Sequence, residues 1–161
     1  MHIASWRLAY RGLLPDEVIE RLSVPDREAL WERRLADEQA LGRESRVDVA
    51  LLAGSLVGFV AAGPSRDDDA AGRGEVYAIY VHPEHWSAGI GQALMAAAVE
   101  HLTGIGAGEG LLWVLASNVR ARRFYEVGGW SWDGRARTRL LEATGDLDVW
   151  VEEACYRRAF A

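Results

Sequence analysis

The sequence predicts an α/β domain of the α+β type, in which a mixed central sheet is flanked by helices. Three observations indicate this class. Residues 3 to 36 carry helical periodicity, residues 47 to 62 form two apolar runs around Ala53-Gly54-Ser55, and a strand-like segment, Glu75 to Val81, leads into a glycine turn and an apolar helical pattern. Helices before a hairpin, followed by a strand–turn–helix unit, are typical of a sheet that packs helices against its faces.

Composition limits the functions to consider. The 161 residues are 50% hydrophobic and 26% charged, which is typical of a single folded domain covering residues 1–161. The formal charge of 18 − 24 = −6 argues against a nucleic-acid partner. All 18 basic residues are arginine, which excludes a lysine Schiff base and a GxxxxGK phosphate loop. The single cysteine, Cys155, and the lack of a long apolar segment lead us to expect a cytoplasmic protein without a membrane span.

The first third of the chain predicts three short helices. Apolar residues recur at helical spacing, and proline followed by aspartate opens two of the segments. The predicted spans are Ile3 to Tyr10, Pro15 to Leu22 and Pro25 to Ala36.

The rest of the chain alternates strands and helices. The predicted strands cover residues 47–52, 56–62, 75–81, 111–115, 130–132 and 147–158, and the predicted helices cover residues 89–103 and 119–127. We expect Gly134 and Gly145 to join the last strands. The acidic, glycine-bearing segment from Pro64 to Gly74 is predicted to be a solvated hairpin tip without chemistry.

The turn that ends in Gly89-Ile90-Gly91 is a candidate anion site. A helix begins there after a strand, and a helix N-terminus presents unpaired N–H groups and partial positive charge to a phosphate. The structural alternative is a helix start at which glycine only relieves crowding. A Rossmann motif is excluded because its third glycine would fall at Leu94.

Three segments in order resemble the GNAT (Gcn5-related N-acetyltransferase) family. They are Tyr80-Val81-His82-Pro83, Gly89-x-Gly91, and Asn118 followed by Phe124-Tyr125 and Gly128-Gly129-Trp130. The resemblance covers residues 47 to 132. It implies the acyl-CoA N-acyltransferase fold, with a splayed sheet, and an enzyme that moves an acetyl group from acetyl-CoA to a primary amine of a small molecule or peptide.

The resemblance also implies an acetyl-CoA site without a metal. Backbone groups of β-strand residues would pair with the pantetheine arm, the glycine turn would cradle the pyrophosphate, and Tyr125 would lie near the thioester sulfur. The implied residues are Ile79, Tyr80, Val81, Ser87, Ala88, Gly89, Ile90, Gly91, Gln92, Asn118, Phe124 and Tyr125.

The sequence departs from the family pattern at the phosphate turn. Trp86 stands where the family usually has glutamine or arginine, and Ser87 stands where glycine is usual. An indole cannot give a charge-assisted hydrogen bond, so weaker cofactor binding is expected. Arg120, Arg122 and Arg123 could compensate, or could belong to a solvated helix face.

A second departure concerns the N-terminal end of the fold. The family normally begins with a strand, but here a helix is predicted first, so the first strand is missing or reduced to Met1 to Ile3. The sheet edge at residues 47–52 is then exposed, paired with another chain, or covered in another way. A homodimer is one assembly that this edge suggests.

Catalysis needs a proton acceptor because an alkylammonium is not a nucleophile. Glu75, which the resemblance places at a base position of the family, is our first candidate; a solvated strand-end carboxylate is the alternative, and His82 and His85 follow. Tyr125 is the candidate to protonate the leaving thiolate, unless it is only a packed aromatic residue.

Two further points complete the catalytic prediction. The backbone N–H of Ile79 or Tyr80 could stabilise the oxyanion. His82, Glu84 and His85 lack a further ligand set at fixed spacing, so a zinc site is not expected. The alternatives to an enzyme are a non-catalytic acyl-CoA-binding module and a partner-binding subunit.

Overall fold

A computed structural model describes residues 1–36, 44–67, 72–141 and 148–160. Its helices are α1 (His2–Ala9), α2 (Asp16–Glu20), α3 (Val24–Ala36), α4 (Ile90–Gly104) and α5 (Val119–Val127), with a 3₁₀ turn at Pro83–His85. Its strands are β1 (Arg46–Leu52), β2 (Ser55–Pro64), β3 (Gly74–Val81), β4 (Glu109–Leu115), β5 (Ser131–Leu140) and β6 (Trp150–Ala159). None of the described helices is long and apolar enough to cross a membrane.

The six strands form one mixed sheet in the order β1-β2-β3-β4-β6-β5. All neighbours are antiparallel except β3 and β4, which run parallel because α4 connects them. These two strands pair only at Gly74–Gly110 and Glu75–Leu111 and then diverge. The mixed, splayed sheet predicted for this chain is therefore confirmed.

Two apolar clusters hold helices against the sheet. On one face α4 packs against the middle strands, and a set of fully buried side chains fills that core: Val60, Ala98, Leu102, Leu112, Trp130 and Tyr156. On the other face α1 and α2 pack against the ends of β4 and β6 through Ile3, Trp6, Val18, Leu115 and Val151. Helices cover both faces of the sheet, and the gap where β3 and β4 diverge remains open.

The N-terminal helix confirms the prediction for residues 3 to 10. No strand precedes α1 within the described part of the chain, and β1 pairs only with β2. The Ser5 hydroxyl donates a hydrogen bond of 2.8 Å to the backbone carbonyl of Val81. This bond fixes α1 over the end of β3, beside the opening.

One prediction about the strands was wrong. β5 extends to Leu140, so Gly134 lies inside it at an irregular register rather than in a connection, with φ of +88°. Residues 68–71 of the segment predicted to be a solvated tip, and Gly145, lie outside the described residues. At the start of that segment, Arg66 and Asp67 contact residues of the sheet. The sequence did not predict these contacts because they join segments that are distant in the chain.

Candidate functional site

A cleft of about 940 Å³ opens where β3 and β4 diverge. Its walls come from β3, from the turn before α4, from the first turns of α5 and from the inner surface of α1. Beyond Glu75, β3 has no strand partner on this side, so its inward backbone groups face the cleft. An extended chain with amide groups would complete the sheet there in the way that an added strand does.

The turn at one end of the cleft adopts left-handed backbone conformations. Gly89, with φ of +80°, precedes α4, and Ser87 has φ of +63°, a conformation in which glycine is favoured. A Cβ atom at Gly89 would meet no heavy atom within 4 Å, whereas one at Gly91 would lie 3.2 Å from Cε2 of Phe124. The N-terminus of α4 has no side-chain cap, so its N–H groups are open to an anion.

Trp86 is fixed between this turn and β3. Its indole Nε1 donates to the backbone carbonyl of Val81 at 2.8 Å, and the guanidinium carbon of Arg120 lies 3.2 Å from the centre of its ring. The two other arginines of α5 differ from each other in position. Arg122 donates to the hydroxyl of Tyr156 and to the carbonyl of Ala116, away from the cleft, whereas Arg123 lines the cleft.

The inward edge of β3 is partly occupied already. The N–H of His82 donates to the carbonyl of Val57, so the backbone groups of His82 point toward β2. Because these groups alternate in direction along a strand, those of Val81 and Ile79 point toward the cleft. The Val81 carbonyl accepts hydrogen bonds from Ser5 and Trp86, so the Val81 N–H and the N–H and carbonyl of Ile79 remain available to a ligand. The same alternation turns the Tyr80 N–H toward β2, so of the two candidate oxyanion donors Ile79 is the one that faces the cleft.

A β-bulge interrupts β3 next to Glu75. Ala61 pairs with Ala78 and Ala62 pairs with Val76, so Tyr77 is the extra residue. A bulge leaves backbone groups of the bulged strand unpaired and increases its twist. The divergence of β3 from β4 begins at this point.

Glu75 is buried at the base of the cleft, with 3% of its surface exposed. Its Oε2 accepts the backbone N–H of Arg66 at 2.9 Å, and its Oε1 accepts from Nη2 of Arg66 at 2.7 Å. The Arg66 guanidinium lies over the ring of Tyr77 at 4.1 Å. A solvated strand-end carboxylate, the alternative for Glu75, does not describe this geometry.

Tyr125 projects into the cleft from α5 and is buried. Burial raises the pKa of its hydroxyl, and the neighbouring Tyr80 raises it further. Burial likewise raises the pKa of Tyr10. Tyr80 raises this pKa further, through its electrostatic interaction with Tyr10 and through a hydrogen bond between the two side chains. These phenols therefore remain protonated at neutral pH and can act as donors.

Asn118 is the N-cap of α5. Its Oδ1 accepts the N–H of Ala121 at 3.0 Å, which satisfies one of the unpaired donors of the helix. The side chain is buried and lines the cleft. With its oxygen committed to the helix, its amide nitrogen remains as the group that can face a ligand.

Most predicted residues line the cleft together with Glu75 and Tyr125. Ala88 and Ile90 do not; Ile90 packs against the core under α4. His82 and His85 lie at the opposite end of β3 from Glu75, roughly 20 Å along the strand. Within the described ranges no three His, Cys, Asp or Glu side chains form a group that could hold a metal ion.

A charged cluster beside Glu75 was missed by the sequence analysis. Nε1 of Trp113 donates to Asp67 at 3.2 Å, and the guanidinium of Arg137 lies 4.0 Å from the centre of the Trp113 ring. Nε of Arg137 also donates to the buried Glu153 at 2.9 Å. The alternating arginines of β5 were the available signal, but their partners come from three other segments.

Comparison with known proteins identifies relatives of the chain. The family model described as "Acetyltransferase (GNAT) family" matches residues 14–129. An uncharacterized N-acetyltransferase, YuaI, of Bacillus subtilis (strain 168) is 30% identical over 118 residues, which are 73% of this chain and 64% of that protein. A mycothiol acetyltransferase of Kocuria rhizophila is 45% identical over 58 residues, which are 36% of this chain and 19% of that protein. The chain thus spans less than two thirds of these curated relatives.

Solved structures with the same fold include two acetyltransferases. The crystal structure of a nourseothricin acetyltransferase is similar with a TM-score of 0.61 and 32% identity, over 73% of this chain and 66% of that one. The PaiA N-acetyltransferase of Thermoplasma acidophilum, solved in complex with coenzyme A, matches with a TM-score of 0.63 and 19% identity, over 98% and 87% of the two chains. The second likeness concerns the fold alone.

Proposed function

Because this chain belongs to the GNAT acetyltransferase family, we propose that residues 1–161 form one N-acetyltransferase domain that uses acetyl-CoA. The acetyl group passes directly to a primary amine in a ternary complex. The observation that carries the proposal is the divergence of β3 and β4, which leaves the inward edge of β3 open below an uncapped helix N-terminus. The donor set fits a ligand that is amide-bearing along one half and phosphorylated at its end.

Different residues along the cleft bind different parts of acetyl-CoA. The carbonyl of Ile79 and the N–H of Val81 pair with the pantetheine amides, and Ser87 and Gly89 present the turn to the pyrophosphate. Asn118 and Phe124 complete the far wall. When bound, acetyl-CoA supplies the acetyl group as a thioester whose leaving group is a thiolate.

Three groups carry out the chemistry at the other end of the cleft. Glu75 accepts a proton from the ammonium of the acceptor, directly or through water. The Ile79 N–H, which faces the cleft, donates to the carbonyl oxygen as negative charge develops there. Tyr125, whose raised pKa keeps it protonated, donates its proton or a hydrogen bond to the departing sulfur.

The acceptor is a primary amine of a small molecule or a peptide. The buried carboxylates of Glu75 and Glu153 line the cleft next to Trp113, which suits an amine attached to a polar body. The likeness to a nourseothricin acetyltransferase at 32% identity makes nourseothricin a first candidate to assay.

The proposal is tested by incubating the protein with acetyl-CoA and a panel of amines. The panel contains nourseothricin, other amine-bearing antibiotics and peptides with free N-termini, and the readout is release of free thiol together with the mass of the product. Thiol release that depends on one amine and yields the acetylated amine supports the proposal. Binding of acetyl-CoA without turnover across the panel would favour a different function.

One observation favours a second candidate, a non-catalytic acyl-CoA-binding module. Arg66 donates hydrogen bonds to both oxygens of Glu75, so part of the hydrogen-bonding capacity of the carboxylate is already used. The acceptor amine then reaches the carboxylate at its remaining lone pairs, through water, or after Arg66 moves. The Arg66→Ala variant separates the candidates. If Arg66 only restrains the base of an enzyme, the variant should turn over faster than the wild type; if the protein is a non-catalytic module, the variant should show no turnover.

Assembly and location complete the proposal. Within the described strands β1 is paired on one side only and exposes Val49 and Leu51, which supports a homodimer through this edge. A mass measurement in solution tests it, with a monomer as the contrary result. The single cysteine supports a cytoplasmic location.

A further inference from the structure

Trp86 and Arg120 form a cation–π pair at the end of the cleft where the glycine turn lies. Trp86 begins the turn that leads to α4, and Arg120 lies in the first turn of α5, on the opposite wall of the same cleft. The guanidinium carbon is 3.2 Å from the centre of the indole ring. The ring itself is anchored by the hydrogen bond from Nε1 to the Val81 carbonyl.

The cation of Arg120 is not committed to any acidic group among the described residues. The nearest comparison is Arg122, two residues on, which is bound to Tyr156 and Ala116. Arg120 is exposed at the mouth of the cleft, and its neighbours lower its pKa by partial desolvation alone, without an acidic contribution. An arginine that an aromatic ring holds in place and that no carboxylate neutralises is prepared to bind an anion.

The charge of the whole molecule favours such a cation at the site of an anionic ligand. The formal charge is −6, so a polyphosphate approaching the protein meets long-range repulsion. The turn supplies N–H dipoles, but Trp86 itself carries no charge. Arg120 is a cation that the structure brings into contact with this turn from another element.

We infer that Arg120 is the phosphate-binding cation of the acyl-donor site, and that Trp86 is the platform that positions it. This inference rests on the proposed use of acetyl-CoA. Stacking orders the guanidinium before the ligand arrives, so less side-chain freedom is lost on binding. The guanidinium then donates charge-assisted hydrogen bonds to phosphate oxygens while the turn and α4 donate backbone N–H groups.

The test compares the affinities of purified variants for two donors by calorimetry. The donors are acetyl-CoA and S-acetylpantetheine, which lacks every phosphate. Arg120→Ala is expected to weaken acetyl-CoA binding by about 10- to 100-fold and to leave S-acetylpantetheine binding unchanged. Arg33→Ala, an exposed arginine on α3 outside the cleft, removes the same charge and should leave both affinities unchanged.

Two further arms locate the phosphate and test the platform. With acetyl-3′-dephospho-CoA, a persisting effect of Arg120→Ala assigns the contact to the pyrophosphate, and a vanished effect assigns it to the 3′-phosphate. Trp86→Leu should weaken acetyl-CoA binding, and the double variant Trp86→Leu/Arg120→Ala should bind no worse than Arg120→Ala alone, because the ring acts through the arginine.

Several results would overturn the inference while leaving the proposed function intact. These are wild-type affinity for acetyl-CoA in Arg120→Ala, an equal loss for S-acetylpantetheine, or additive losses in the double variant. A larger loss in Arg123→Ala, whose arginine also lines the cleft, would transfer the role to that residue. Failure of the wild-type protein to bind acetyl-CoA would instead contradict the proposed function itself.

Discussion

At the scale of single residues, Glu75 and Tyr125 differ in how the fold holds them. Glu75 is restrained by Arg66 through both carboxylate oxygens, whereas the hydroxyl of Tyr125 makes no hydrogen bond to any residue in the described part of the chain. A restrained candidate base and an uncommitted candidate donor on opposite walls of one cleft are expected to respond differently to substitution.

Replacing Glu75 by glutamine keeps its shape and removes its capacity to accept a proton. We expect kcat at neutral pH to fall by about 10²- to 10⁴-fold, and the loss to shrink as pH approaches about 10, where more of the alkylamine acceptor is already neutral. The measurement is the pH–rate profile of Glu75→Gln with a true acceptor.

Glu109 provides a matched control for that variant. Its carboxylate also pairs with arginines, Arg73 and Arg157, but it lies outside the cleft. Glu109→Gln should retain wild-type turnover at every pH. A Glu75→Gln profile that parallels the wild type would transfer the role of base to another group or to water.

Tyr125→Phe deletes one hydroxyl from the cleft. Because burial raises the pKa of Tyr125, the hydroxyl stays protonated as pH rises, so the ratio of wild-type to variant kcat should remain constant up to about pH 10, the ordinary tyrosine pKa. We expect a ratio of about 10² with nearly unchanged affinity for acetyl-CoA. Convergence of the two rates near pH 10, or equal rates throughout, would contradict the role.

At the scale of elements, the turn before α4 combines an open surface with an unusual backbone. Gly89 has a left-handed conformation and space around it, so a side chain added there points at the proposed phosphates rather than at the core. Gly91 offers no such clean test, because a Cβ atom would press on Phe124.

Gly89→Glu is expected to abolish the thermal stabilisation that acetyl-CoA gives. The carboxylate opposes the phosphates and the N-terminus of α4 is no longer accessible. Gly106→Glu is the control, since Gly106 has φ of +87° and open space but lies beyond the other end of α4. Both variants place a side chain at a positive φ, so the cost in folding free energy should be similar in the two. A ligand-induced rise in Tm as large in Gly89→Glu as in the wild type would refute the phosphate site.

At the scale of the whole molecule, ligand binding and folding are coupled. The cleft exists only when α1 and α5 are docked on the divergent strands, so the unfolded chain has no such site. A ligand that binds the folded state alone must raise the unfolding free energy by mass action.

Acetyl-CoA at 100 times its Kd should therefore stabilise the protein by about 2.7 kcal/mol. For a chain of this length that corresponds to a rise in Tm of about 5–10 °C, measured by thermal unfolding with and without ligand. The rise should increase with the logarithm of ligand concentration. A Tm independent of acetyl-CoA would contradict its use as the donor.

The sequence by itself predicted most of the elements and the candidate anion site at one end of the cleft. Periodicity predicted the N-terminal helix, and the glycine turn followed by a helix predicted the candidate anion site, because both signals depend on residues near each other in the chain. Asn118 and Tyr125 were predicted from the resemblance to the GNAT family, and both side chains line the cleft in the structure.

Only the tertiary structure decided what surrounds the candidate base and the phosphate turn. Arg66 reaches Glu75 across a hairpin, Arg137 reaches Asp67 from a strand 70 residues away, and Arg120 reaches Trp86 from another helix. The residues next to an arginine in the sequence do not show whether its side chain lies at the surface or binds a partner in a cleft. Which carboxylate or ring each side chain meets depends on strand order and register, and those are set by packing between distant segments rather than by neighbours in the chain.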